Sequence, residues 1–64
     1  MFNVTIKTGG AAFCDPYTGE PDTFSETYEV VRILEKIIRE LKCEYSNGVC
    51  MDINGNKVGE WELR

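Results

Sequence analysis

TFSETYEVVRILEKIIRELKCE, residues 23–44, has the periodicity of one amphipathic helix long enough to organise a core. From Val30 onward, steps of about 100° per residue place Val30, Leu34, Ile37 and Leu41 in one narrow stripe. Val31 and Ile38 flank it on one side and Ile33 on the other, so the apolar arc spans roughly 160°. A coiled-coil seam is narrower than that. An arc this broad suits a helix lying across the face of a small sheet. The opposite face carries Arg32, Glu35, Lys36 and Arg39, with Glu29 and Glu40 at its margin. Glu35 and Arg39 have the favourable order for an (i, i+4) ion pair, worth about 0.2–0.5 kcal/mol.

The helix start reads from Thr23 and Glu26, which match an S/T-x-x-E capping box, with Ser25 as a competing cap. Asp22, Glu26 and Glu29 stand at the positive end of the helix dipole and Lys42 near its negative end. Asn47-Gly48 is suited to a left-handed exit, so the helix is expected over about 24–44 and to stop before that pair.

Working outward, Phe2, Val4 and Ile6 alternate with Asn3, Thr5 and Lys7, the pattern of a half-buried strand over about 2–7. On the far side, about 48–53 and 57–63 read as two strands joined around Asn54-Gly55, a strong hairpin signal. Two registers compete. A two-residue turn pairs Met51 with Val58 and offers an Asp52–Lys57 cross-strand pair. A three-residue Ile53-Asn54-Gly55 loop, with Gly55 left-handed, pairs Cys50 with Val58 and puts Val49, Met51, Trp61 and Leu63 on one face. Burial of Trp61 with the aliphatics outweighs an exposed ion pair, which favours the three-residue loop. Gly59 is positioned for a bulge or for close approach of a helix side chain.

The expected fold is therefore one α+β domain, β-α-β-β. Its sheet has three antiparallel strands in the order 1-3-2, with one helix packed across one face. The alternative sets the first strand parallel to the second. The outer face of the preferred sheet would show Asn3, Thr5, Lys7, Cys50, Val58, Glu60 and Glu62. Trp61 and Leu63 would lie beneath the helix.

The connection over 8–22 is longer than this fold needs, and loops of such length tend to carry function. Gly9-Gly10, Asp15-Pro16, Thr18-Gly19 and Glu20-Pro21 punctuate it with turn signals. Residues 8–31 hold Asp15, Glu20, Asp22, Glu26 and Glu29 and no base. Two readings of the aromatics stand side by side. Phe13 folds back to cover one end of the core, or Phe13 and Tyr17 display a contact surface ringed by these acids. The candidate partner-binding set is accordingly Phe13, Asp15, Tyr17, Glu20, Asp22 and Glu26. Arg32, Lys36 and Arg39 form the alternative, a small basic patch on the helix.

Composition narrows the chemistry. A chain of 64 residues with net charge −4 opposes binding to a phosphate backbone. There is no histidine, so the usual proton shuttle is missing. Cys14, Cys43 and Cys50 are an odd number without C-x-x-C spacing, which argues against a disulfide framework and a zinc site. Cys14 lies beside Asp15, an anion that disfavours thiolate. Cys43 is placed near the polar face of the helix and Cys50 on the outer face of the sheet. Asp52, Asn54 and Asn56 lack the spacing and final glutamate of a calcium loop. No Walker lysine follows Gly9-Gly10. The expectation is a non-enzyme with no cofactor, no metal and no catalytic residue. Reduced cysteines and the lack of a leader or apolar span predict a cytoplasmic protein with no membrane contact.

Val4-Thr5-Ile6-Lys7-Thr8 with Ala12-Phe13, then Arg32-Ile33-Leu34, then Asp52-Ile53-Asn54-Gly55-Asn56-Lys57-Val58-Gly59 together span most of the chain. In these pieces it resembles short, largely uncharacterised β-α-β-β proteins encoded by phages, mobile elements and genomes of Firmicutes. Its Cys14–Asp22 segment is longer than in that group. The resemblance implies a mobile-element setting, in which small acidic proteins bind and block a host protein of defence or nucleic-acid processing. It carries over no catalytic residue.

Three functions thus follow as expectations. The first is a protein-binding module, monomeric or weakly dimeric through a sheet edge. The second is a sequestering protein for a small molecule or nucleotide, with the loop as lid. The third is a weak nucleic-acid binder through the basic helix face.

Overall fold

A computed structural model describes residues 1–15, 17–20 and 22–64. Its elements are β1 (Phe2–Ile6), a 3-10 turn at Ala11–Phe13, α1 (Thr23–Lys42), β2 (Asn47–Met51) and β3 (Lys57–Leu63). The sheet order is β1-β3-β2 and both pairings are antiparallel. This is the expected β-α-β-β architecture, with β3 central. No helix among the described residues is long and apolar enough to cross a membrane. The turn signals at Pro16 and Pro21 lie outside the described residues.

The helix begins one residue earlier than the capping box implies, and with a different cap. Asp22 is the N-cap: its Oδ2 accepts from Ser25 N at 3.0 Å and from the Ser25 hydroxyl at 2.9 Å. The carboxylate brings a negative charge to the positive end of the helix dipole, which the neutral hydroxyl of Thr23 does not. The exit also differs. Glu44, not Asn47 or Gly48, takes the left-handed conformation (φ 66°). Tyr45 N donates to Glu40 O at 3.1 Å and Glu44 N to Leu41 O at 3.0 Å, a Schellman closure that ends the helix at Lys42. Asn47 and Gly48 are thereby free to open β2.

The hairpin has the expected three-residue loop. Asp52 N donates to Asn56 O at 2.8 Å and Gly55 is left-handed (φ 83°). Asp52 Oδ1 accepts from Asn54 N at 2.9 Å and Asn56 N at 2.8 Å, so the D-x-N-G-N sequence is turn chemistry. Met51 pairs with Lys57 as that loop requires. Cys50 then pairs with Gly59 rather than Val58, because Val58 is an extra residue in β3. The bulge reverses the faces of β2. Gly48 and Cys50 share the Trp61 side, and Val49 points outward.

Cys50 and Val58 are consequently buried, which corrects their expected place on the outer face. Leu63 remains half-exposed rather than lying beneath the helix. Gly59 is required by the close approach of β1, since a Cβ there would lie 1.7 Å from Thr5 O. Gly48 makes room in the same way for Trp61, whose Nε1 would be 2.5 Å from a Cβ there.

The core consists of Phe13, Ile33, Ile37, Cys50, Val58 and Trp61, with Val4, Ile6, Ala12, Val30 and Leu41 packed against it. The helix therefore buries a sector centred on Ile33 and Ile37. Leu34, expected in the middle of the buried stripe, is exposed with Val31 and Ile38. Glu29, expected at the margin of the polar face, is buried. The broad apolar arc divides into one half that meets the sheet and another that faces outward.

Candidate functional site

The long connection, the helix start and the hairpin loop converge on an open cleft of about 560 Å³. Ala11, Ala12 and Cys14 form one wall. Asp22, Phe24, Ser25, Tyr28 and Glu29 form the helical side, and Ile53 and Asn54 complete it from the hairpin. Its volume lies within the range of small-ligand and peptide-anchor pockets.

Each wall has a local cause. The 3-10 turn is closed by Phe13 N donating to Gly10 O (3.0 Å) and Cys14 N to Ala11 O (3.1 Å). It drives Phe13 into the core and leaves Ala11 and Ala12 along the cleft. Asp15 then closes the following turn: its Oδ1 accepts from Tyr17 N at 2.7 Å, and Gly19 N donates to Asp15 O at 2.8 Å. The cap at Asp22 fixes the first helical turn, and Phe24 and Tyr28 project from it as an aromatic ridge, 86 % and 72 % exposed. The ridge also borders a smaller apolar groove with Thr23, Thr27 and Val31.

Glu29 holds the floor. Only 2 % exposed, it accepts from Arg32 Nε at 3.0 Å, is bridged by Arg32 Nη2, and accepts from Ile53 N at 3.0 Å. Arg32 Nη2 also donates to Met51 O at 2.9 Å. One ion pair thus joins the helix to the end of β2 and to the hairpin loop. Hydrogen bonding to Glu29 raises the affinity of the Arg32 guanidinium for its proton above the ordinary arginine value. Donation from the Ser25 hydroxyl, then from Ser25 N, holds the Asp22 carboxyl below its usual range. Burial, reinforced by the negative charge of Glu40, pushes the Cys50 thiol upward and keeps it protonated.

The carboxylates of the cleft are occupied by structural donors, and the Cys14 thiol donates to Gly10 O at 3.4 Å. Among the described residues no three or more His, Cys, Asp or Glu side chains gather as a metal site.

The expected contact residues separate. Phe13 is buried and cannot present a contact surface; this corrects its inclusion in the partner-binding set. Tyr17 is almost wholly exposed and Glu20 is exposed. Asp15, Asp22 and Glu26 are half-buried, and the first two shape turns. The basic patch loses Arg32 to Glu29, while Arg39 is exposed and Lys36 half-buried. No ion pair joins Glu35 to Arg39; Arg32 pairs at (i, i+3) with Glu29 instead.

Phe24, Tyr28, Ile53 and Asn54 were not among the expected site residues. Phe24, Tyr28 and Val31 recur at i, i+4 and i+7, a signal visible only when the helical periodicity is followed from residue 24 rather than from Val30. Comparison with protein-family models, with curated proteins and with solved structures finds no match.

Proposed function

We propose that this protein is a small acidic interaction module that binds another protein at the helix start and catalyses no reaction. The observation that carries this reading is the exposed Phe24–Tyr28 ridge beside an open, mostly apolar cleft. Large aromatics standing in solvent are characteristic anchors of protein interfaces. Tyr17, Glu20 and the net charge of −4 favour a partner with a basic surface around an apolar plug. In the mobile-element setting that the resemblance implies, the partner is a host protein whose nucleic-acid groove the acidic loop competes for.

Reversing Asp15 or Asp22 would remove a turn or a cap along with the charge, so the informative variant leaves both in place. Capture from host lysate is expected to retain a specific protein on the wild-type chain and lose it on Glu20→Lys/Phe24→Ala/Tyr28→Ala, with helicity by circular dichroism unchanged. Identical captured sets for the two chains refute the reading.

The cleft volume supports a second reading, sequestration of a small apolar molecule or a nucleotide. It predicts ligand-dependent thermal stabilisation, since a ligand that binds only the folded state raises Tm. A metabolite screen that leaves Tm unmoved counts against it.

A further inference from the structure

We propose that the outward apolar stripe of α1 pairs with the same stripe of a second copy of this chain, the two helices running antiparallel. Phe24, Val31 and Ile38 recur every seven residues, with Thr27 and Leu34 between them, and none belongs to the buried core. Seven-residue spacing produces a straight seam suited to a facing helix. Val31, Leu34 and Ile38 are 46 %, 39 % and 49 % exposed. With the aromatic ridge they leave of order 500 Å² of apolar surface on each copy, at the upper end for a protein that stays alone. Two such faces bury about 1,000 Å², near the lower limit for a specific interface.

A second copy fits on two independent grounds. The first is relief. The N-terminal end of the stripe stands high, with Phe24 and Tyr28 projecting, and the C-terminal end is low and aliphatic. A two-fold axis beside Val31 lays Phe24 and Tyr28 of one copy over Ile38 and Leu34 of the other. The second is charge. Setting aside Glu29 and Arg32, which neutralise each other within one copy, residues 15–28 contain four acids and no base, whereas residues 33–42 contain Lys36, Arg39 and Lys42 against Glu35 and Glu40. Antiparallel pairing sets acidic end against basic end and opposes the helix dipoles; parallel pairing sets like against like. This inference does not rest on the proposed partner, which would compete with the second copy for Phe24 and Tyr28, and the tests below leave Glu20, Phe24 and Tyr28 untouched.

Sedimentation equilibrium from about 5 to about 500 µM is expected to show the mass rise from 7.3 kDa toward twice that value, with a midpoint of tens of micromolar. Val31→Glu/Ile38→Glu should shift the midpoint at least tenfold while circular dichroism, and Tm taken at about 5 µM where the wild type is monomeric, hold. Val31→Cys in a Cys43→Ser background should cross-link to itself under oxidised glutathione, because that position faces its own copy across the two-fold. A wild type monomeric throughout overturns the proposal. So does a dimer that survives the double glutamate variant, or a wild-type dimer whose Val31→Cys form does not cross-link.

Discussion

At the scale of the residue, Glu29 holds the site together. Its carboxylate is buried and shared between Arg32 and the Ile53 amide. Glu29→Ala would leave a guanidinium and an amide short of partners, so we expect a loss of about 2–4 kcal/mol by urea denaturation. Arg32→Ala in the same background should add less than its single effect, since both removals break one pair. Asp22 and Asp52 give a pH signature. Both are held below 3.8 when folded, Asp22 chiefly by the Ser25 hydroxyl and Asp52 chiefly by Asn56 N. The unfolded chain then binds protons first as pH falls, so their contribution is present above pH ~4 and lost below it. Asp22→Asn and Asp52→Asn should each flatten the acid limb of a Tm-against-pH profile and leave the limb above pH 6 unchanged in slope.

At the scale of the element, the β3 bulge determines which faces meet. The three-residue loop alone would set Val49 and Met51 beside Trp61; the extra residue at Val58 replaces them with Gly48 and Cys50. A one-residue slip turns every side chain over, and Gly59 lets β1 close on the other edge of the bulged strand. Gly59→Ala should cost about 2–4 kcal/mol or detach β1 from β3, because its Cβ would collide with the Thr5 carbonyl. Hydrogen–deuterium exchange would distinguish these outcomes: uniform loss of protection reports destabilisation, and loss confined to β1 and its partner edge of β3 reports detachment of β1. The helix shows a related division. Its wide apolar arc is legible in the sequence, but periodicity alone does not say which part meets the sheet. Docking against Trp61 and Phe13 turns Ile33 and Ile37 inward and leaves Val31, Leu34 and Ile38 out.

At the scale of the whole molecule, one small core supports everything, and domains of this size rarely exceed about 3–5 kcal/mol. Phe13 closes one end of that core from the long connection. Phe13→Ala should cost about 3–4 kcal/mol and remove most of that stability at 25 °C. Phe24→Ala, at a position standing in solvent, should leave Tm within a few degrees of wild type. Thermal melts followed by Trp61 fluorescence would separate the two, since the indole is buried only in the folded state. If both variants melt alike, Phe24 belongs to the fold and the binding ridge is lost.

Local chemistry was enough to determine the element order, the helix, the three-residue hairpin loop with its left-handed Gly55, and the 1-3-2 sheet. Each follows from periodicity, from turn residues, or from the need to place Trp61 centrally. The cap at Asp22, the exit at Glu44, the bulge at Val58 and the burial of Glu29 were decided only in the tertiary structure. The physical reason is common to them. Each depends on a competition between partners close in space: Asp22 against Thr23 for the Ser25 donors, Cys50 against Val49 for the Trp61 face, and Arg32 with Ile53 for one carboxylate. The site follows the same rule. Its acidic, turn-rich loop is written in consecutive residues, whereas its aromatic ridge emerges once the core has taken the other side of the helix.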